Sequence, residues 1–380
     1  MKKIAILTIT DYLNYGNRLQ NYATQEVLKA RGYDVTSIAN VTTPPIINGW
    51  ELFVLRLKNA FGQSPATLVK KVGEKVSEHK NKGRYIAGQK AKEKSFREFS
   101  SKFLTETEYV ISTEKLPSDM EARFDYFVVG SDQIWNPNIR YGSSIDFLTF
   151  APVEKRIALA PSFGVSVIPE KFVERYSQWI KEMKYISIRE EAGARIIYDL
   201  TGKTVPVLVD PTLILSREEW LKVVTKGRMK PTKPYLLTYF IGAVSNKRMR
   251  ILRELAEANH LELVMLASLN DIDRYDANPG EFIDYINSAS VVCTDSFHAI
   301  IFSIQMQRPF VVFEREGKSA PMSSRIETLL KKFKFEERRY SYLNDSKLIF
   351  NIDFSHVEGI LKIEREKVKG YLDNALVNNN

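Results

Sequence analysis

Short apolar runs alternate with stretches of helical spacing along most of the chain. Residues 3–8 are β-branched and apolar. The segment RLQNYATQEVLKARG that follows places Leu19, Tyr22, Ala23, Val27 and Leu28 on one helical face, closed by Gly32. Residues 33–38 read as a second strand, so the chain opens as βαβ, the unit of a doubly wound parallel sheet. The same grammar returns in FDYFVVG (124–130), RIALAPSFG (156–164), a helix over 170–183, YISIR (185–189), a helix from Glu190, and a short strand at 205–209. Ser216, with Glu219 three residues on, predicts a capping box for SREEWLKV.

The stretch MKPTKP (229–234) is the best linker. A second α/β set follows it, with strands at 235–242, 261–266, 290–295 and 309–314 and a final helix at 355–376. The economical architecture is α/β: two Rossmann-like domains with parallel sheets, facing each other across a cleft, and a C-terminal helix. The expected division is 1–215 and 216–380. Two segments break the pattern. Residues 41–65 are irregular around Pro44–Pro45, and residues 66–102 predict a basic helical insertion on the first domain, broken at Gly73, Gly83 and Gly88.

Composition narrows the class. The chain has 380 residues, 44% of them hydrophobic and 27% charged, a globular mix that excludes wholesale disorder. Its one cysteine, Cys293, allows no intrachain disulfide and no Cys-rich zinc site; it reads as a buried strand residue. A reducing cytoplasm suits that usage, and the N-terminal apolar run meets Asp11 too early for a signal peptide. Net charge is +9, which points to an anionic partner. Residues 66–102 alone hold +7, leaving +2 for the remainder. Two readings stand for that stretch: a solvated helical segment, or a surface that holds the protein at the inner face of a membrane, on anionic lipid. No zinc finger or aromatic RNA-binding motif accompanies the charge, so nucleic acid is not expected as a partner.

Ligands of open α/β sheets sit at the carboxyl ends of the strands, and four polar loops fall there. In Asn14-Tyr15-Gly16-Asn17-Arg18, Gly16 permits close backbone approach and the helix start offers free N–H groups to an anion; a plain turn with Asn17 as the N-cap is the other reading. In Gly130-Ser131-Asp132-Gln133, Ser131, Asp132 and Gln133 can bind sugar hydroxyls or orient a catalytic group, or make a capping turn. Arg189 ends a strand beside Glu190 and Glu191, which offer it a surface ion pair instead. The fourth loop is Thr294-Asp295-Ser296-Phe297-His298. Of the four histidines only His298 follows a strand among polar neighbours, at a helix start that disfavours imidazolium. Downstream, Arg325 near a helix start suits an anion, or stands solvated. No residue spacing fits a metal site, and no GxSxG elbow is present.

Six segments come in a known order: NYGNRLQNYATQEVLKARGYDV, FVVGSDQIWNP, ALAPSFG, ISIREEAG, VDPTLIL and VVCTDSFHAIIFSIQMQRPFVV. In them the chain resembles the polysaccharide pyruvyl transferase family over residues 1 to about 330. The resemblance implies a GT-B-type pair of domains. It also implies transfer of pyruvate from phosphoenolpyruvate to two hydroxyls of a sugar, giving a cyclic ketal. The acceptor it implies is a saccharide, either a glycan or a lipid-linked precursor. By this resemblance His298 matches the family's histidine and is the general acid/base. Ser296 stands where some branches carry an Arg, and Asn17 where they carry an acidic residue. The donor's anionic groups then fall to Arg325, Arg189 and the Gly16–Arg18 loop, with Asp132 and Gln133 facing the acceptor or orienting His298. No cofactor or metal enters this scheme. A glycosyltransferase using a nucleotide sugar, and a non-catalytic member of a glycan assembly system, are the competing readings.

Overall fold

The computed structural model describes residues 1–42, 65–316, 323–343 and 346–377. The irregular stretch expected at 41–65 therefore lies mostly outside the described residues. The first unit runs β1 (Lys3–Leu7), α1 (Tyr15–Lys29), β2 (Asp34–Asn40), α2 (Pro65–Phe103), β3 (Glu106–Ile111), β4 (Tyr126–Val129), α3 (Pro137–Arg140), β5 (Arg156–Ala158), α4 (Glu170–Glu182), β6 (Tyr185–Ile186) and α5 (Glu191–Thr201). Among the described residues its strands make one six-stranded parallel sheet in the order β3-β2-β1-β4-β5-β6.

The helix α6 (Arg217–Leu221) carries the predicted capping box, with Glu219 N–H donating to Ser216 Oγ at 3.2 Å and Ser216 N–H to Glu219 Oε2 at 2.6 Å. The second unit follows: β7 (Tyr235–Tyr239), α7 (Asn246–Ala258), β8 (Glu262–Met265), α8 (Pro279–Ser288), β9 (Val291–Thr294), α9 (Phe297–Gln305), β10 (Phe310–Val312), α10 (Ser323–Lys332) and α11 (Val357–Val377). Its strands form a four-stranded parallel sheet, β10-β9-β7-β8. Each sheet reverses its direction of winding once, between β1 and β4 and between β7 and β9. Those switch points open a crevice at the carboxyl ends of the strands.

Several strands stop short of their apolar runs. The run 156–164 pairs only through Ala158, because Ala160 takes a positive φ of 49° and turns the chain out of the ladder while it stays buried. The segment at 205–209 contributes a single bridge, Val207 to Ile188. One edge strand, β3, has no counterpart in the sequence reading; its burial alternates weakly, since one face looks at water.

The basic segment differs most from expectation. It is one continuous helix, α2, running through Gly73, Gly83 and Gly88. Each glycine costs a helix roughly 1 kcal/mol, and here packing of the helix's C-terminal part opposes that cost. Phe96 and Phe99 are buried in the central core. Gly88 lies against the Tyr275 ring, where an added Cβ would meet Cδ1 at 3.0 Å. Ser95 Oγ donates to the Asp276 carbonyl at 2.7 Å. The C-terminal part of α2 is thus wedged between the two units.

The units share an apolar layer. Tyr15 stacks on Phe282 at 4.4 Å and donates its hydroxyl to the Ala277 carbonyl at 2.8 Å, while Trp220 joins Tyr22 to Phe302. The last helix, α11, returns to the first sheet. Tyr371 donates to the Ala158 carbonyl at 2.7 Å, and Tyr126 to the Leu376 carbonyl at 3.0 Å. Cys293 is fully buried on β9, where burial pushes its thiol up to about 12. No helix among the described residues is long and apolar enough to cross a membrane.

Candidate active site

The two switch points meet. Gly16, in the first turn of α1, lies directly under the imidazole of His298, and a Cβ at that position would collide with Nδ1. This is the close approach that a glycine alone permits. His298 itself sits in the first turn of α9, whose N-cap Ser296 accepts from Ala299 N–H at 3.4 Å. Ser296 therefore serves the helix end.

On its other side, His298 Nε2 stands 3.6 Å from Asp210 Oδ2. Asp210 also accepts from Ser131 Oγ at 3.0 Å, from Thr212 N–H at 3.0 Å and Oγ1 at 2.7 Å, and from Arg189 Nη1. Burial opposes its charge, but Arg189 and His298 hold the Asp210 carboxyl far below the ordinary carboxylate range. Asp210 was not singled out from the sequence. Its signal was the Asp-Pro pair closing a strand-like run, which reads equally as a turn.

Asp132 follows β4 at a positive φ of 66°, which aims its carboxylate back into the crevice. Its Oδ1 is 3.5 Å from Arg189 Nη2 and 3.8 Å from Arg325 Nη1, and its Oδ2 takes a 3.5 Å contact from Asn17 Nδ2. Burial again works against ionisation, yet Arg189, His298 and Arg325 keep its pKa below the usual value. Arg325 shows the reverse balance. Desolvation first, then the neighbouring Arg189 guanidinium, pull it down to about 10. Both guanidiniums lie over the Phe297 ring, at 4.6 Å for Arg189 and 5.5 Å for Arg325. Asp132, Arg189, Asp210, His298 and Arg325 are all buried.

The other expected residues fall elsewhere or take framework roles. Arg18 does not join the cluster. Its Nη1 bonds Glu106 Oε1 at 2.7 Å, its Nη2 bonds the Ile9 carbonyl and Asn17 Oδ1, and its face covers Tyr12. The anion loop expected at Gly16–Arg18 is therefore corrected: its charge is already engaged by β3. Asn14, not Asn17, caps α1, accepting from Asn17 N–H at 3.3 Å. Gln133 points away to Asn136, whose Nδ2 donates to it at 2.7 Å beside Gly164. The place beside His298 Nε2, expected for Asp132 or Gln133, belongs to Asp210.

Glu190, read as a surface partner for Arg189, is fully buried and accepts from Ser162 Oγ at 2.9 Å and Phe163 N–H at 3.0 Å. It fixes the loop beyond β5 at the edge of the site. Among the described residues no group of three or more His, Cys, Asp or Glu side chains is placed to hold a metal ion.

Chemically, the crevice offers an imidazole backed by a firmly ionised carboxylate, beside two adjacent guanidiniums. That set can move a proton and hold a multiply charged anion.

Comparison with known proteins bears on this arrangement. A solved structure described as a UDP-N-acetylglucosamine 2-epimerase from Listeria monocytogenes is 10% identical, with a TM-score of 0.51 over 100% of this chain and 98% of that one. A UDP-GlcNAc 2-epimerase from Neisseria meningitidis bound to UDP-GlcNAc is 12% identical, TM-score 0.46, over 100% of both chains. MurG from Acinetobacter baumannii is 8% identical, TM-score 0.39, over 99% of both chains. At 10% identity the likeness to the Listeria structure is one of fold, and with the two parallel sheets it gives the GT-B-type architecture. No curated protein matches the chain. The family model described as polysaccharide pyruvyl transferase matches residues 14–317, a span that holds both switch points and His298, and the chain belongs to that family of transferases.

Proposed function

We propose that the chain transfers the pyruvyl group of phosphoenolpyruvate to two neighbouring hydroxyls of a saccharide, forming a cyclic ketal. The observation that carries this reading is the pairing of His298 with Asp210 beside Arg189 and Arg325, where the switch points of the two sheets meet. Family membership supports the same chemistry.

The reaction needs a proton on the donor's methylene carbon and a hydroxyl oxygen on its central carbon. Phosphate then leaves, and the second hydroxyl closes the ring. The proton lost by the first hydroxyl balances the one gained by the methylene, and the second departs with phosphate. His298 carries these protons; an ionised Asp210 at Nε2 stabilises the imidazolium formed on the way. Arg325 and Arg189 meet the donor's phosphate, where fixed cations act most strongly in a dry site. Asp132 holds the two guanidiniums in place, and Gly16 lets the imidazole reach the crevice. Access for the donor requires the two units to part slightly at this seam, because the cluster is buried.

The test is His298→Ala with a panel of saccharide acceptors, lipid-pyrophosphate-linked sugars included. Phosphate release from phosphoenolpyruvate is expected to fall by about 100-fold or more, with the thermal transition retained. Turnover near that of the unaltered chain overturns the assignment.

A further inference from the structure

A second cationic seat lies on the second unit's side of the crevice. Beyond β10, Arg315 folds back across the second switch point, over the loop that follows β7 and against Asp295 at the end of β9. Its side chain is only 8% exposed. Its place depends on Gly242, where an added Cβ would stand 2.7 Å from Arg315 Cγ and 2.9 Å from Asp295 Oδ2.

Asp295 looks like its partner but is engaged elsewhere. Both carboxylate oxygens accept backbone N–H groups, from Ile241 at 2.7 Å and Gly242 at 2.9 Å. What remains for Arg315 is a contact of 3.7 Å from Nε to Asp295 Oδ2 and a long bond of 3.4 Å from Nη2 to the Asp295 carbonyl. Among the described residues, Nε has no hydrogen-bond partner at all. A guanidinium has five N–H donors and no acceptor, so Arg315 is a largely covered side chain with donors to give. It stands near the first seat: its charge is felt at Arg325, and Asp295 is three residues before His298.

We infer that Arg315 binds the carboxylate of the donor, while the Arg189–Arg325 pair takes its phosphate. This rests on the phosphoenolpyruvate reading above. Charge matching assigns the ends. Two adjacent guanidiniums suit a phosphate dianion, and a single planar fork suits a carboxylate. Held at both ends, the donor presents its central and methylene carbons between the two seats, beside His298. Arg315 then determines specificity: it selects a phosphate ester that carries a carboxylate over one that does not.

The experiment is calorimetric titration of the full chain with phosphoenolpyruvate and, separately, with inorganic phosphate. Arg315→Met is expected to weaken phosphoenolpyruvate by about tenfold or more and inorganic phosphate much less, because the Arg189–Arg325 pair stays in place. Arg325→Met is expected to weaken both. Arg315→Lys keeps the charge but loses the fork. It is expected to fall between Arg315→Met and the unaltered chain for phosphoenolpyruvate, and it serves if the methionine variant does not fold. Equal loss of both ligands in the Arg315 variants, or loss of neither, overturns the assignment. The unaltered chain separates the two levels. Phosphate binding without phosphoenolpyruvate binding there overturns the donor reading itself, and the role of Arg315 with it.

Discussion

The chain buries arginine in two kinds of place, and the contrast separates framework from site. Arg18 and Arg140 have their donors matched. Arg18 meets Glu106, a carbonyl and Asn17; Arg140 meets Asp146 and Asn40 Oδ1, the latter at 2.7 Å. Around the crevice, Arg189 is paired with Asp210 and Asp132, but Arg325 is pulled down to about 10 by burial and by Arg189 beside it, and Arg315 is held only at 3.4 to 3.7 Å. Burial alone says little about an arginine. What sets the crevice arginines apart is cover together with cations crowded on one another, a cost that an anionic ligand would relieve.

The comparison breaks first at Arg18. If it is framework, Arg18→Met costs about 3 kcal/mol of stability, since Glu106 loses its cation and keeps only the Tyr12 hydroxyl of its described partners. Chemical denaturation measures this, and a change below about 0.5 kcal/mol would place Arg18 with the site group instead. Next comes Gly16→Ala. The added methyl must displace the His298 ring, and a shift of that size costs turnover about 100-fold; binding of phosphate, held by the arginines, changes little. Steady-state kinetics beside phosphate titration separate the two, and intact turnover would show that the ring can move away freely.

The smallest effect concerns Lys92, a buried cation of the framework between the units. Its ammonium lies over Tyr15 at 4.8 Å, Phe96 at 5.4 Å and Tyr275 at 5.8 Å, with Asp11 the charge that faces it. Desolvation lowers it from 10.5 to about 8. Between those values the unfolded chain holds the proton and the folded chain does not, so this group's contribution to stability rises with pH. Lys92→Met is therefore expected to melt a few degrees higher than the unaltered chain at pH 7, with the gap closing toward pH 10. A variant that melts lower at every pH would mean that the rings hold the cation more strongly than burial opposes it.

Much of this was legible in the sequence because it is local. The opening βαβ unit, the capping box at Ser216 and the polar loops at the strand ends follow from period, cap and turn residues that lie within a few positions of one another. The position of His298 was legible by the same kind of reading, as the one histidine between a strand and a helix start. Residues that act across the fold were not legible. The partner of Arg18 is Glu106, on the edge strand β3, whose weak alternation hides it. Asp210 reaches His298 from 88 positions away, and nothing beside it signals a charge partner. The glycines of α2 looked like breaks because helix propensity is local, whereas the contacts that hold the helix, Phe96 on Tyr15 and Ser95 on the Asp276 carbonyl, come from residues far away along the chain.

The sequence by itself determined the α/β class, the family, and which loops hold polar residues at the carboxyl ends of strands. Those properties are written in short-range pattern and order. Only the tertiary structure decided which charges are already matched: Arg18 to Glu106, Asp295 to two backbone amides, Asp210 to Arg189, and Arg315, among the described residues, to Asp295 at 3.4 to 3.7 Å. The reason is physical. A charge acquires its meaning from burial and from partners within a few ångströms, and both are set by the packing of two sheets whose residues lie far apart along the chain.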